Sequence, residues 1–352
     1  NEIMNAGLGQ KVSVEETRGD IDFNTIKHAI RNASVCIGSS GYKSYVDLTE
    51  ACVSSGVSMV DLGGNRDVVD MQMKMSTDAT AKGVTIIPDC GLAPGMIDVL
   101  GMHAFQTLEK RGCTLIDVFM RVGGLPRNPG SELENPLRYE LTWSGEGLIN
   151  EYEIPSDELL NGQLIQTQPL TNCENILFQN PWVDHEFEAF VTGGGSSNLP
   201  FLLQGKARSV NYKTIRYRGH CNIMRAFMKL GFFSYDDGIN GISPRGMLTK
   251  MLETNLTCKT GDDIVLARAG ARGKGKDGKP DSIVFDVVCA KDHVMNFTAM
   301  AQTTGYSAAA VAQMIADGTI TMKGVVPGEA AIPGKSFISR LKQMGLNVSG
   351  EV

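Results

Sequence analysis

The sequence is poor in the residue patterns that mark a metal site or a disulfide scaffold. Its five histidines are dispersed, with no metal-binding spacing. Its eight cysteines, at 36, 52, 90, 113, 173, 221, 258 and 289, include no C-x-x-C pair. That scatter speaks against zinc or a disulfide framework and for a reducing, cytoplasmic setting. No apolar run is long enough to cross a bilayer, and no secretory signal is expected. Neither charge sign dominates: 33 Lys and Arg against 39 Asp and Glu leave a net charge of -6. That balance gives no reason to expect nucleic acid or a membrane as a partner.

The glycine-rich phosphate loop of a dinucleotide fold is also missing. Such a fold opens with a strand and G-x-G-x-x-G, whose backbone cradles a pyrophosphate at a helix N-terminus. Here Gly7-Leu8-Gly9 is followed by Gln10 and Lys11, with no third glycine and no strand before it. It reads as a helix end. The first βαβ unit, on the order of 40 residues, is therefore expected to be absent from this sequence, which starts at Asn1 rather than Met.

What is present suggests two domains, since 352 residues exceed what one core usually serves. The most informative stretch is V-T-I-I-P-D-C-G-L-A-P-G-M-I-D-V-L at 84–100. Val84 to Ile87 reads as a strand buried on both faces, Pro88 stops it, and a helix runs from Pro94 to Glu109. Ligands of open α/β sheets bind at such carboxyl-end loops; the same residues also suit a tight βα connection shaped by geometry alone. Upstream, helices at 23–32 (capped by Asp22), 43–55 and 67–82 alternate with strands at 34–37 and 57–62. This is the signature of a doubly wound parallel sheet. The loops around Gly38, Gly63 and Gly91 gather on one sheet edge.

After residue 112 the pattern changes. Thr114 to Arg121 alternates and runs into Gly123-Gly124-Leu125-Pro126; further extended segments are expected at 186–192, 207–217, 263–268 and 282–289. The glycine-rich run Gly270 to Gly278 reads as a hairpin tip. Ser307 is expected to cap a helix through Ala316 that Gly318 stops, and Ser336 to Met344 a helix that Gly345 stops. Tyr212 to His220 concentrates cationic and titratable groups. On a strand, Lys213, Ile215 and Tyr217 share one face, and Thr214, Arg216 and Arg218 the other. Arg216 could meet a carboxylate with its bidentate fork, although composition alone favours an exposed edge strand with solvated charges. The loop Thr192-Gly193-Gly194-Gly195-Ser196-Ser197 offers N–H and hydroxyl groups to an anion, or is a flexible loop. Trp143, in Trp143-Ser144-Gly145-Glu146-Gly147, could wall a pocket, though a core role is commoner.

Several longer motifs carry a resemblance. I-P-D-C-G-L-A-P-G-M at 87–96, D-L-G-G-N at 61–65, V-G-G-L-P at 122–126 and N-P-L at 135–137 come first. E-A-F-V-T-G-G-G at 188–195, Y-K-T-I-R-Y-R-G-H at 212–220, T-A-M-A-Q-T-T-G-Y at 298–306 and K-G-V-V-P-G-E at 323–329 follow. In this order they resemble the saccharopine dehydrogenase-like superfamily, and within it most the lysine 6-dehydrogenase branch. The resemblance implies an α/β fold: a Rossmann-like doubly wound parallel sheet, truncated at its N-terminus, over 1–112 and 298–352. A mixed α+β substrate-binding and oligomerisation domain is inserted at 113–297. It implies NAD-dependent oxidative deamination of the ε-amine of L-lysine, with NADP left open, in a cytoplasmic homodimer or higher homo-oligomer.

On that resemblance Arg216 is the expected carboxylate clamp, helped by Thr214, Thr192, Gly193 and Ser196. His220 or Lys213 is the expected base, with Tyr217 a further catalytic candidate. Gly38, Ser39, Asp61, Gly63, Gly64, Cys90 and Gly91 are expected to line the cofactor, and Asp20, after a strand at 11–15, its adenosine side. No metal is expected. Saccharopine-forming reductases resemble G-L-D-P-G where this chain has Gly91-Leu92-Ala93-Pro94-Gly95, and carry Asn-Arg-Asp where it has Thr192-Gly193-Gly194, which favours a smaller substrate. Saccharopine and carboxynorspermidine dehydrogenation remain alternatives, as does a truncated subunit that only binds or assembles.

Overall fold

Short β-branched runs alternating with amphipathic helices build a parallel sheet in the first third of the chain. The computed structural model describes residues 23–178, 186–236, 241–257 and 261–350. Helix α1 (Phe23–Ile30) leads to β1 (Val35–Gly38), α2 (Tyr45–Ser55), β2 (Ser58–Asp61), α3 (Arg66–Met73), α4 (Ser76–Ala81), β3 (Thr85–Ile87) and α5 (Met96–Lys110). Strands β1, β2 and β3 pair in parallel in that order. Gly7-Leu8-Gly9, the expected strand at 11–15, Asp20 and the Asp22 cap lie outside the described residues.

Two helices depart from expectation for local reasons. The segment 67–82 is two helices, because Ser76 turns aside to bond the returning chain: its Oγ donates to the Val325 carbonyl and accepts the Val325 N–H, both at 3.1 Å. Helix α5 starts at Met96 rather than Pro94, since Gly95 at φ 126° cannot be helical.

The rest of the chain forms a larger mixed sheet. Its elements are β4 (Thr114–Pro126), α6 (Gly145–Glu151), β5 (Ser156–Leu160), β6 (Gln163–Thr167), β7 (Glu174–Ile176), β8 (Phe187–Phe190), α7 (Leu199–Leu202), β9 (Ser209–Tyr217), α8 (His220–Lys229), α9 (Pro244–Leu256), β10 (Asp263–Lys274) and β11 (Pro280–Ala290). Then come α10 (Ala299–Ala316), β12 (Gly324–Val325), α11 (Gly328–Ala331), α12 (Gly334–Gln343) and β13 (Val348–Ser349). The strand order is β13-β11-β10-β4-β9-β5-β6, with β8 on β9 and β7 on β8. Strand β12 returns to pair in parallel with β3, whereas β13 joins the edge of the large sheet on β11.

Helix α10 lies between the sheets, against β1 and β2 on one side and β10 and β11 on the other. It begins at Ala299, so Ser307 is a buried mid-helix residue and not a cap. Thr298 caps it by accepting the Ala301 N–H at 3.1 Å. The two carboxylate oxygens of Asp263 take the N–H groups of Ala299 and Met300 at 2.6 and 2.9 Å. The stops at Gly318 and Gly345 follow helix ends with φ of 76° and 93°.

Strand β9 is no exposed edge. Strand β4 flanks it over 209–214, and β5 and β8 flank its other side. Lys213 and Arg216 are accordingly only 9% and 3% exposed. The glycine-rich run also differs from a hairpin tip: Gly270 and Gly273 belong to β10, and only the turn before Pro280 is a tip. A Cβ on Gly270 would lie 2.6 Å from both the Ile283 carbonyl oxygen and Phe119 Cζ, so glycine is there to admit Phe119. Gly270→Val is therefore expected to destabilise the fold by about 1–3 kcal/mol through overpacking, read as a lower urea midpoint at unchanged slope.

Candidate active site

The alternation of β9 sends Tyr212, Thr214 and Arg216 to one face, where they line a cavity of about 390 Å³. Leu62 and Gly91 to Ala93 from the carboxyl edge of the parallel sheet line it too, with Val122 to Gly124 of β4, Tyr139, Trp143, Glu151 and the first turns of α10. The glycine pair of β4 makes this wall possible. A Cβ on Gly123 would sit 2.5 Å from the Ile215 carbonyl oxygen, and one on Gly124 would sit 2.3 Å from Met300 Cε.

Arg216 is held from several directions. Its Nη1 donates to the Ile215 carbonyl at 3.0 Å and its Nη2 to Glu151 Oε2 at 3.3 Å. The Tyr139 ring covers the guanidinium, 4.7 Å from its centroid. The Nε donates to the Tyr152 hydroxyl at 3.0 Å, which is 2.9 Å from His220 Nε2. Burial, reinforced by the Arg216 charge, pushes the His220 imidazole down to about 3, so it is neutral. Nδ1–H then donates to the Leu137 carbonyl at 3.0 Å, and Nε2 accepts the Tyr152 O–H. Each group in the chain has one direction for its proton, and all serve to orient Arg216. Among the described residues, three of the five guanidinium N–H groups have partners and two remain for a ligand.

The expected site residues fall into two sets. Arg216, Thr214 and Gly91 line the cavity. Thr192 stands behind it, its hydroxyl 2.6 Å from that of Thr214. Gly193 packs against Ile154 and donates its N–H to the Glu151 carbonyl at 2.8 Å. The base candidates are not brought to the cavity. His220 is enclosed behind Tyr152. Lys213 projects from the opposite face of β9, its Nζ 2.7 Å from Glu174 Oε2. Tyr217 shares that face and donates to the Pro126 carbonyl at 2.8 Å. Glu151, Tyr152 and Tyr139 have no distinguishing pattern in the sequence, whereas Tyr212 opens the 212–220 motif without being singled out as a site residue. Trp143 does wall the cavity, donating to the Tyr139 hydroxyl at 3.1 Å.

Several expected cofactor residues serve the protein instead. Asp61 is fully buried: Oδ1 takes the N–H groups of Gly63 and Asp89 at 2.9 and 3.1 Å, and Oδ2 the Gln72 amide at 2.7 Å. It ties the loops after β2 and β3 together. Gly38 is enclosed by Leu48 and Tyr45, and Gly63 makes room for the Asp89 carboxylate. Cys90 is buried with its thiol toward the Ile87 carbonyl. Ser39 is exposed beyond β1, and Gly64 faces open space. The backbone of Leu62 and Gly91 to Ala93 is the part of this edge left open to a ligand. It reaches the cavity directly, and at Gly91 a Cβ would lie 3.1 Å from the Leu62 carbonyl oxygen.

The 196–198 loop is bound to this edge by carboxylates. Ser196 donates to Asp98 at 2.7 Å, Ser197 to Asp89, and the Asn198 N–H to Glu329 at 2.8 Å. Ser196 is thereby a latch residue rather than part of the cavity lining. Burial raises Asp89 and Glu329 to about 7 and Asp98 to about 6.

A parallel sheet joined to a mixed sheet, with an arginine-bearing cavity where they meet, defines a Rossmann-type α/β fold. The family profile of the saccharopine dehydrogenase C-terminal domain matches residues 91–346, and the chain belongs to that family. It is 24% identical to the mitochondrial alpha-aminoadipic semialdehyde synthase of Mus musculus over 91% of this chain and 41% of that protein. It is 23% identical to the NADP(+), L-glutamate-forming saccharopine dehydrogenase of Pyricularia oryzae over 46% of this chain and 36% of that one. The chain thus spans less than half the length of these relatives. The apo saccharopine dehydrogenase (L-Glu forming) of Saccharomyces cerevisiae superposes with a TM-score of 0.79 at 17% identity, over 99% of this chain and 91% of that chain. The homospermidine synthase of Legionella pneumophila in complex with NAD gives 0.61 at 13% identity, over 98% and 82%.

The raised carboxyls set the sign of a pH effect. The folded state binds more protons than the unfolded one from about pH 4, the unfolded carboxyl range, to about 7. Their contribution to stability is greatest below that window and falls as pH rises through it, while the lowered His220 contributes with the opposite sign and is outnumbered. Thermal unfolding should show the melting temperature falling between pH 5 and 7.5, with a shallower slope in Asp98→Asn.

Proposed function

We propose that the protein is a dehydrogenase acting on a carbon–nitrogen bond of an amino acid, and that it oxidises the ε-amine of L-lysine. The observation that carries the reading is Arg216, the one cationic side chain among the described cavity-lining residues. It has two free N–H groups and a support that fixes its orientation. A carboxylate placed on them makes charge-assisted hydrogen bonds and positions the far end of the substrate, from which much of the rate comes. Tyr212 and Thr214 add hydroxyls beside it. NAD or NADP, when bound at the Leu62 and Gly91–Ala93 edge, supplies the hydride acceptor. The net reaction takes the lysine ε-ammonium, oxidised cofactor and water to the semialdehyde, ammonium, reduced cofactor and a proton.

Saccharopine oxidation is the second reading, favoured by the relatives' names. Saccharopine carries more carboxylates than one arginine satisfies, and Ala93 lines the cavity without a charge, so we favour the smaller substrate.

Assays of the chain with lysine and with saccharopine, each with NAD and with NADP, test the choice. Lysine-dependent reduction is expected; turnover of saccharopine alone reverses the order of the two readings. Arg216→Ala should raise KM for the amino acid about 10- to 100-fold, the worth of a charge-assisted hydrogen bond, while NADH binding, followed by fluorescence titration, is unchanged. A folded chain that binds no NADH would favour a non-catalytic subunit.

A further inference from the structure

Glu151 is the one acidic side chain among the described residues that line the cavity. It ends α6, and its main-chain oxygen accepts the Gly193 N–H at 2.8 Å. Its side chain keeps 22% of its surface exposed, against 4% for Arg216, so the carboxylate looks into the cavity while the guanidinium lies behind it. Oε2 meets Arg216 Nη2 at 3.3 Å, and Oε1 has no donor among the described residues. A carboxylate with an unused oxygen beside a guanidinium with two unused N–H groups presents adjacent sites of opposite sign.

Resting on the reading that Arg216 holds a substrate carboxylate, we infer that Glu151 binds the α-ammonium group of the same substrate. The pair then recognises a whole α-amino-acid head. The head of a zwitterionic amino acid carries its ammonium and carboxylate on one carbon, in the complementary order. Both partners are neutral as units, so docking exchanges one compensated pair for two without stranding a buried charge. Burial raises the Glu151 carboxyl to about 7, opposed by Arg216; a cation at Oε1 is what such a carboxylate lacks. Recognition of the α-ammonium removes the α-amine from the chemistry. The substrate class is thereby an α-amino acid whose oxidised nitrogen is on its side chain.

L-lysine and 6-aminohexanoate, which differ only in the α-ammonium, distinguish this role. Calorimetric titration of the NADH-saturated chain should show 6-aminohexanoate binding at least about 10-fold more weakly than lysine. In Glu151→Gln, lysine should lose more affinity than 6-aminohexanoate, so that the gap between the two ligands closes to within about twofold. Should that variant fail to fold, Glu151→Asp keeps the charge and should lose lysine affinity alone. Equal wild-type affinity for the two ligands overturns the assignment, as does a Glu151→Gln variant that weakens both alike. A variant with normal KM and collapsed kcat also overturns it, because Glu151 would then act at the reacting end. Failure of the underlying reading looks different: the wild-type chain binds neither ligand, or Arg216→Ala binds both normally.

Discussion

A guanidinium cannot be taken out of water alone, and the architecture around the cavity follows from burying the one at Arg216. The desolvation cost of an isolated ion is several kcal/mol. Here it is offset by a backbone carbonyl, a carboxylate, a tyrosine ring and a tyrosine hydroxyl that is itself fixed by a neutral histidine. That histidine can serve only because burial keeps it unprotonated; a charged His220 would present a second donor to the Tyr152 hydroxyl and set like charges against each other. The clamp, the tyrosines and the enclosed imidazole are one unit, and α6, β9 and the start of α8 are arranged to bring it together.

A second, acidic unit joins the loops. Asp61 binds the N–H groups of two neighbouring loops, and Asp89, Asp98 and Glu329 receive the 196–198 segment. Backbone N–H groups left over at strand ends need acceptors, and carboxylates supply them at the cost of holding several acids close together. The glycines nearby are explained by the same crowding. Gly63 has no side chain because the Asp89 carboxylate occupies that space.

The β-α alternation was legible because buried parallel strands are written as continuous apolar runs, and because Gly318 and Gly345 end helices by local geometry. The site was legible only in part. Arg216 could be singled out by its motif and its face on a strand. Whether that face is wet or dry depends on β4, β5 and β8, whose residues are far away in sequence, so an edge strand was the natural local reading. His220 and Lys213 have suitable chemistry but lie on the wrong side of the cavity wall. Glu151 and Tyr152 follow an ordinary short helix and carry no local signal. Ser307 resembles a cap because the features that start α10, Thr298 and the distant Asp263, outweigh it. Asp61 and Gly38 sit at the expected sheet edge, but their side of it is filled by protein.

Helix α10 has a mechanical consequence. Its first turns form one wall of the cavity, its N-terminus is bound to the large sheet through Asp263, and its body rests on β1 and β2. An α-helix resists bending over this length, so it acts as a strut packed between the two sheets. A displacement of its first turn moves the helix as a unit against the strands packed on it. The side of the cavity built on α10 is therefore stiff.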